Sequence, residues 1–139
     1  MRITHDYAVS SPQDALVTPI LPDTVKSQRS PVAPGLQNAW LVGASDRPGL
    51  YAVRVKLLAG SKIPPHTHPD ERFSTVLLGT IYVGFGENFD ETKVVAIPTG
   101  SMYVAPAGLP HYVWAKDGEV IIQTTGMGPT GTTPIPQKQ

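Results

Sequence analysis

Cysteine is absent from this chain, neither sign of charge predominates, and no apolar run is long. Each lack removes a class of protein. Without cysteine there can be no disulfide framework and no thiolate ligand, so any metal must be held by nitrogen or oxygen donors. Eleven basic residues balance eleven acidic ones over 139 residues. No stretch gathers enough Lys or Arg to release many counterions from a phosphate backbone, which argues against a nucleic-acid partner. The apolar runs, such as 94–97 and 120–122, fall far short of the roughly 20 residues that a membrane-spanning helix needs, so a soluble protein without membrane contact is expected. No basic segment followed by an apolar one opens the chain, so no secretory signal is read and the expected location is the cytoplasm.

No segment sustains the 3.6-residue period of an amphipathic helix, and no period typical of a stacked repeat is found. The organisation instead reads as three unequal parts. Residues 1–37 are rich in proline (Pro12, Pro19, Pro22, Pro31, Pro34) and predict an extended arm. Residues 38–125 alternate short apolar, β-branched and aromatic runs with Gly and Pro, the pattern of many short strands in one barrel. Strands are expected at 39–42, 50–58, 73–78, 80–85, 93–97, 102–105, 112–115 and 119–125. Residues 126–139, with Gly126, Gly128, Pro129, Gly131, Pro134 and Pro136, have a composition that buries too little to repay its ordering entropy, which predicts a flexible tail.

Four histidines remain, and they carry the chemistry. His5 lies in the arm. His66 and His68 are two apart, a spacing that sends both imidazoles to one face of an extended strand. His111 follows Pro106, Gly108 and Pro110, where a turn would open a new strand and aim its first side chain inward. Three neutral imidazoles converging on one point suit a divalent transition metal (Fe, Mn, Zn, Ni or Cu), one per chain, with coordination positions left open for water or substrate. In the strand after His111, Val113 and Ala115 share its face, and both are small enough to leave room beside a metal. The aromatic residues Phe73, Tyr82, Phe85, Tyr103, Tyr112 and Trp114 serve either as pocket lining or as packing, and packing is the expected role for any one of them.

These residues resemble a known family. Gly60, five residues, His66, one residue, His68 and later Gly79 resemble the first motif of the cupins. Gly100, five residues, Pro106, Gly108, two residues and His111 resemble the second, with Ala115 where the family often has Asn. The resemblance implies an all-β double-stranded β-helix, the cupin or jelly-roll barrel, with the metal inside and commonly a homodimer. It also raises a question of register. A cupin usually places Glu three or four residues beyond the second His, with six more residues between it and the Gly. Counting back from Gly79 lands on Arg72, with Glu71 one residue early. In a regular strand that step turns Glu71 away and puts Arg72 inside. A turn or bulge at Pro69 and Asp70 would instead restore Glu71 to the metal. Both arrangements stay open, as does a solvated Glu71–Arg72 ion pair worth about 0–1 kcal/mol.

The metal ligands are therefore His66, His68 and His111, with Glu71 as the possible fourth, and the candidate catalytic groups are Glu71 and Arg72. The substrate expected is a small oxygen-bearing molecule. The first reading, which the resemblance to three-His cupins suggests, is a non-haem Fe(II)-type dioxygenase, an oxidoreductase. The second is a metal Lewis-acid isomerase, cyclase or lyase with Glu71 or bound hydroxide as base. The third is a non-catalytic small-molecule-binding cupin. Oxygen uptake separates the first from the second, and turnover of any substrate separates both from the third.

Overall fold

The computed structural model describes residues 18–137. His5 and the first 17 residues of the arm lie outside them. A short 3-10 turn at Pro22–Thr24 is followed by eleven strands: β1 Gln28–Arg29, β2 Leu36–Val42, β3 Gly49–Leu57, β4 Lys62–Thr67, β5 Arg72–Leu78, β6 Thr80–Phe85, β7 Val95–Pro98, β8 Met102–Ala105, β9 His111–Trp114, β10 Val120–Gly128 and β11 Thr133–Pro134. All pairings are antiparallel. They form a six-stranded sheet in the order β1-β2-β3-β10-β5-β8 and a five-stranded sheet in the order β11-β4-β9-β6-β7. This is the jelly-roll barrel that the motifs implied. No helix among the described residues is long and apolar enough to cross a membrane.

Two-residue alternation builds the interior. In β10, Val120, Ile122, Thr124 and Gly126 are buried, and Ile121, Gln123 and Thr125 between them are half-buried on the other face. In β5, Ser74 and Val76 face in, while Phe73, Thr75 and Leu77 face out. Leu36, Leu57, Ile63, Val76, Ile81, Val83, Val113, Val120 and Ile122 meet between the sheets as one core. Between β5 and β6 the chain reverses at Gly79, whose φ of +77° suits glycine and where a Cβ would strike the Glu119 carbonyl.

Three expectations change. The strand β4 was not foreseen, because Pro64 and Pro65 interrupt its pattern; the ladder to β9 shifts register between Ile63 and His66, where those prolines sit. The boundary at residue 37 cuts through β2, and Ala33 and Leu36 of the arm are buried in the core. As far as it is described, to residue 137, the final segment is paired with the barrel. β10 runs on to Gly128, and β11 pairs with β4 through Thr133–Thr67 and Pro134–His66. Its compensation is backbone hydrogen bonding, including Ile135 N–H to Pro65 O and Thr130 N–H to Ser45 O, which a composition argument about burial does not count.

Candidate functional site

His66 lies in β4, His68 one residue beyond its end, and His111 opens β9 directly opposite His66. All three are buried. Their ring centroids are 4.3 Å apart for His66 and His111, 4.8 Å for His66 and His68, and 5.1 Å for His68 and His111. A ring nitrogen of each lies within 4.8 Å of one from each of the others.

Main-chain carbonyls fix how the rings present themselves. Nδ1 of His66 donates to Pro64 O at 2.7 Å, Nδ1 of His111 to Leu109 O at 3.2 Å, and Nδ1 of His68 to Gly131 O at 2.8 Å. A carbonyl oxygen only accepts, so each Nδ1 carries the proton and each Nε2 keeps its lone pair for a ligand. Burial holds His68 down to about 3, with the nearby Arg72 charge adding to the effect. Burial, then the neighbouring His66, holds His111 at about 4, and burial lowers His66 as well. All three are neutral at ordinary pH. Three neutral, pre-oriented imidazoles in one buried cluster fit a divalent transition metal of the kind expected.

Glu71 is not with them. It is exposed and borders a separate surface recess with Leu50, Phe73 and Met127. The expected fourth ligand is thus corrected. Arg72, Ser74 and Val76 share one phase of β5, the period of two turns Glu71 outward with Phe73, and the Pro69–Asp70 turn does not reverse it.

Arg72 faces the interior and lines a cavity of about 170 Å³ together with His68. Its Nη2 donates to Thr130 Oγ1 at 2.7 Å, and its guanidinium lies 5.7 Å from the centre of the Tyr51 ring. Asp70 sits behind it: Oδ1 accepts from Thr130 Oγ1 at 2.5 Å and Oδ2 from the Tyr51 hydroxyl at 2.6 Å. Burial and this bond to Asp70 push the Tyr51 phenol up to about 12. The cluster closes over Gly126, where a Cβ would collide with both Asp70 Oδ2 and the Tyr51 hydroxyl.

Below Arg72 the strand registers stack the wall in layers. Ser74, Tyr103, Thr124, Val53 and Trp40 form the next layer, and Val55, Asn38 and Ile122 the one after. Ser74 and Thr124 bond to each other at 2.8 Å, and burial pushes Tyr103 up to about 12. Of the six aromatic candidates, Tyr103 alone lines the cavity, whereas Tyr112 packs on Phe89 and Trp114 lies between Lys62 and Lys116. Val113 faces the cavity as expected, and Ala115 is buried.

Sequence reasoning missed Asp70, Tyr51, Thr130 and Gly131. The inward hydroxyls of Ser74 and Thr124 were findable, since both fall on the apolar phase of their strands. Gly131 acts through its carbonyl, which no side-chain pattern announces.

Comparison with known proteins agrees with this geometry. Residues 53–123 match the model of the family described as "Cupin domain". Germin-like protein 5-1 of Oryza sativa subsp. japonica is 35% identical over 74 residues, covering 51% of this chain and 32% of that protein, so the chain spans about a third of that relative's length. Among solved structures, the polyketide cyclase RemF from Streptomyces resistomycificus superposes with a TM-score of 0.71 at 16% identity, covering 87% of both chains. Salicylate 1,2-dioxygenase from Pseudoaminobacter salicylatoxidans, in adducts with gentisate, gives 0.63 at 20% identity, covering 79% of this chain and 31% of that one. At these identities the structural likenesses show the fold.

Proposed function

The chain belongs to the cupin family, and on that premise we propose that it is a metal-dependent oxygenase of the non-haem Fe(II) type acting on a small oxygen-bearing molecule. The donor set carries the reading: three buried neutral imidazoles, with no carboxylate among the described residues that line the cavity. His66, His68 and His111 would hold the metal. Neutral donors leave the cation's full charge available to an anionic oxygen ligand, and as Fe(II) it supplies dioxygen activation. The chain's own part is to keep the three Nε2 lone pairs aimed by carbonyl bonds and to offer the ligand an apolar wall from Val53, Val55, Ile63, Val113 and Ile122.

The Lewis-acid isomerase, cyclase or lyase reading needs a group that takes a proton. Glu71 borders a different recess, and the Tyr103 phenol, raised to about 12, is protonated at neutral pH. That reading is left with bound hydroxide as its base. The test is an oxygen electrode with Fe(II)-loaded protein and a panel of β-dicarbonyls, catechols, thiols and gentisate, the compound bound by the structurally similar salicylate dioxygenase. Uptake that depends on both iron and one of these compounds is expected. With iron occupancy verified, no uptake across the panel removes the oxygenase reading and leaves the Lewis-acid enzyme or the binding module.

A further inference from the structure

We infer that the cavity beside His68 takes a monocarboxylate about one ring in size, with its carboxylate on Arg72 and its apolar body against the layered wall.

Size comes first. A cavity of roughly 150 Å³ holds a benzene molecule, and this one is about 170 Å³. A single six-membered ring fits. The wall comes second. Val53, Val55, Leu57, Ile63, Val113 and Ile122 supply apolar surface, with Trp40 and Tyr103 available for ring contact.

Charge decides the polar end. Arg72 is the only Lys or Arg, and no Asp or Glu stands, among the described residues lining the cavity. Arg72 Nε is buried without a hydrogen-bond partner. Asp70 Oδ1 is 3.8 Å away, close enough to pair its charge with Arg72 but beyond hydrogen-bond reach, and both Asp70 oxygens accept from Thr130 and Tyr51. A buried guanidinium nitrogen without a hydrogen bond is costly, and a carboxylate is the planar acceptor that matches a guanidinium fork. Placement follows from two consecutive residues. Thr130 anchors Arg72 and Gly131 anchors His68, so a carboxylate on Arg72 lies at the metal end of the cavity.

This deepens the oxygenase reading and rests on it only for the identity of the metal end. The test therefore uses no oxygen. Benzoate, its neutral isostere benzamide and 2-naphthoate are titrated into metal-free protein and again into Zn²⁺-loaded protein by calorimetry, and a Trp114→Phe variant, in which Trp40 is the one tryptophan, reports occupancy of the cavity by fluorescence. Benzoate is expected to bind at least 10-fold tighter than benzamide in both forms, and 2-naphthoate more weakly than benzoate. Arg72→Met should abolish the preference for the anion and leave Zn²⁺ uptake at least as strong as in the parent, since a positive charge beside the histidines is removed. Equal affinity for benzoate and benzamide overturns the proposal, as does a preference seen only with Zn²⁺, which would put the carboxylate on the metal. A preference that survives in Arg72→Met, or saturation without change at Trp40, overturns it too. Should Arg72→Met not fold, the benzoate-to-benzamide comparison on the parent protein decides alone. Absence of oxygen uptake leaves these results standing, and failure of these titrations leaves oxygen uptake to be judged separately.

Discussion

The two sheets hold their halves of the site by different means. The five-stranded sheet brings in His66 and His111, and the three imidazoles are oriented by main-chain carbonyls: Pro64 and Leu109, two residues before the histidines they serve, and Gly131 of the final segment. The six-stranded sheet brings in Arg72, which is oriented by side chains: Thr130 bonds to it, Asp70 backs Thr130, and Tyr51 backs Asp70. A carbonyl cannot be deleted by substitution, whereas a hydroxyl or carboxylate can. Thr132 Oγ1, 3.3 Å from His68 Nδ1, is a side-chain partner at the metal end, so that end should fail chiefly when a histidine is lost, and the anion end should be dismantled piece by piece.

The largest effect expected is the loss of metal. Replacing His66, His68 or His111 singly by Ala removes one of three donors, and even groups that merely support a ligand are worth about 10–100-fold in affinity. Each variant should thus bind Zn²⁺ or Fe²⁺ more than about 100-fold more weakly by calorimetry, with elemental analysis of the purified protein falling well below one metal per chain. His5→Ala should bind as the parent does. If Asp70→Asn weakened metal binding as much as a histidine variant, the two halves would be one unit and the comparison would be broken.

How much of this was legible in the sequence depended on the kind of signal. His66, His68 and His111 were, because side-chain identity, spacing and two motifs, the second marked by Pro106 and Gly108, all point to them. The barrel was legible for the same reason: β5, β6, β8 and β10 follow the two-residue alternation that burial between two sheets requires. The choice between Glu71 and Arg72 was not, since it turns on whether two residues, Pro69 and Asp70, shift the phase of a strand by one. The role of residues 128–134 was hidden more deeply. Their contribution is a carbonyl to His68, a hydroxyl to Arg72 and a two-residue ladder on β4, and none of these needs an apolar pattern. β4 was concealed by Pro64 and Pro65, which its irregular pairing to β9 tolerates.

The next effect is on stability against pH, and it belongs to the histidine half alone. In the metal-free protein the three imidazoles stay neutral well below their ordinary value of 6.5, down to about 3 for His68 and about 4 for His111. In the unfolded chain they bind protons as pH falls through about 6.5. The unfolded state then holds more protons than the folded state, so stability drops as pH falls and is restored as it rises. The slope is about 1.4 kcal/mol per pH unit for each such histidine once the unfolded chain is protonated. Urea unfolding of metal-free protein between pH 6.5 and 5, above the range where most carboxylates titrate, should show the decline. His111→Ala should remove about a third of the slope, and Thr130→Val should leave it unchanged. A flat profile over that range would mean that the histidines are not held neutral by burial.

The smallest effect tests the side-chain half most cleanly. Thr130→Val keeps the shape of the side chain and removes one oxygen, which accepts from Arg72 Nη2 and donates to Asp70 Oδ1. Both partners are charged and both are mostly buried, with side-chain exposures of 15% for Arg72 and 10% for Asp70. Losing these bonds should cost about 1–3 kcal/mol, the range for leaving buried polar groups unpaired, and lower Tm by several degrees in a domain of this size. Thr130→Ser, which keeps the hydroxyl, should restore most of that loss. Metal affinity should be unchanged, since the carbonyl that orients His68 belongs to the next residue and involves no side chain. Benzoate affinity should fall several-fold, because Arg72 is freed to leave its position without losing its charge. Calorimetric metal titration beside thermal unfolding separates the outcomes: a drop in Tm with intact metal binding sharpens the division between the halves, and a matching loss of metal would show that residues 130 and 131 act as one strap across both.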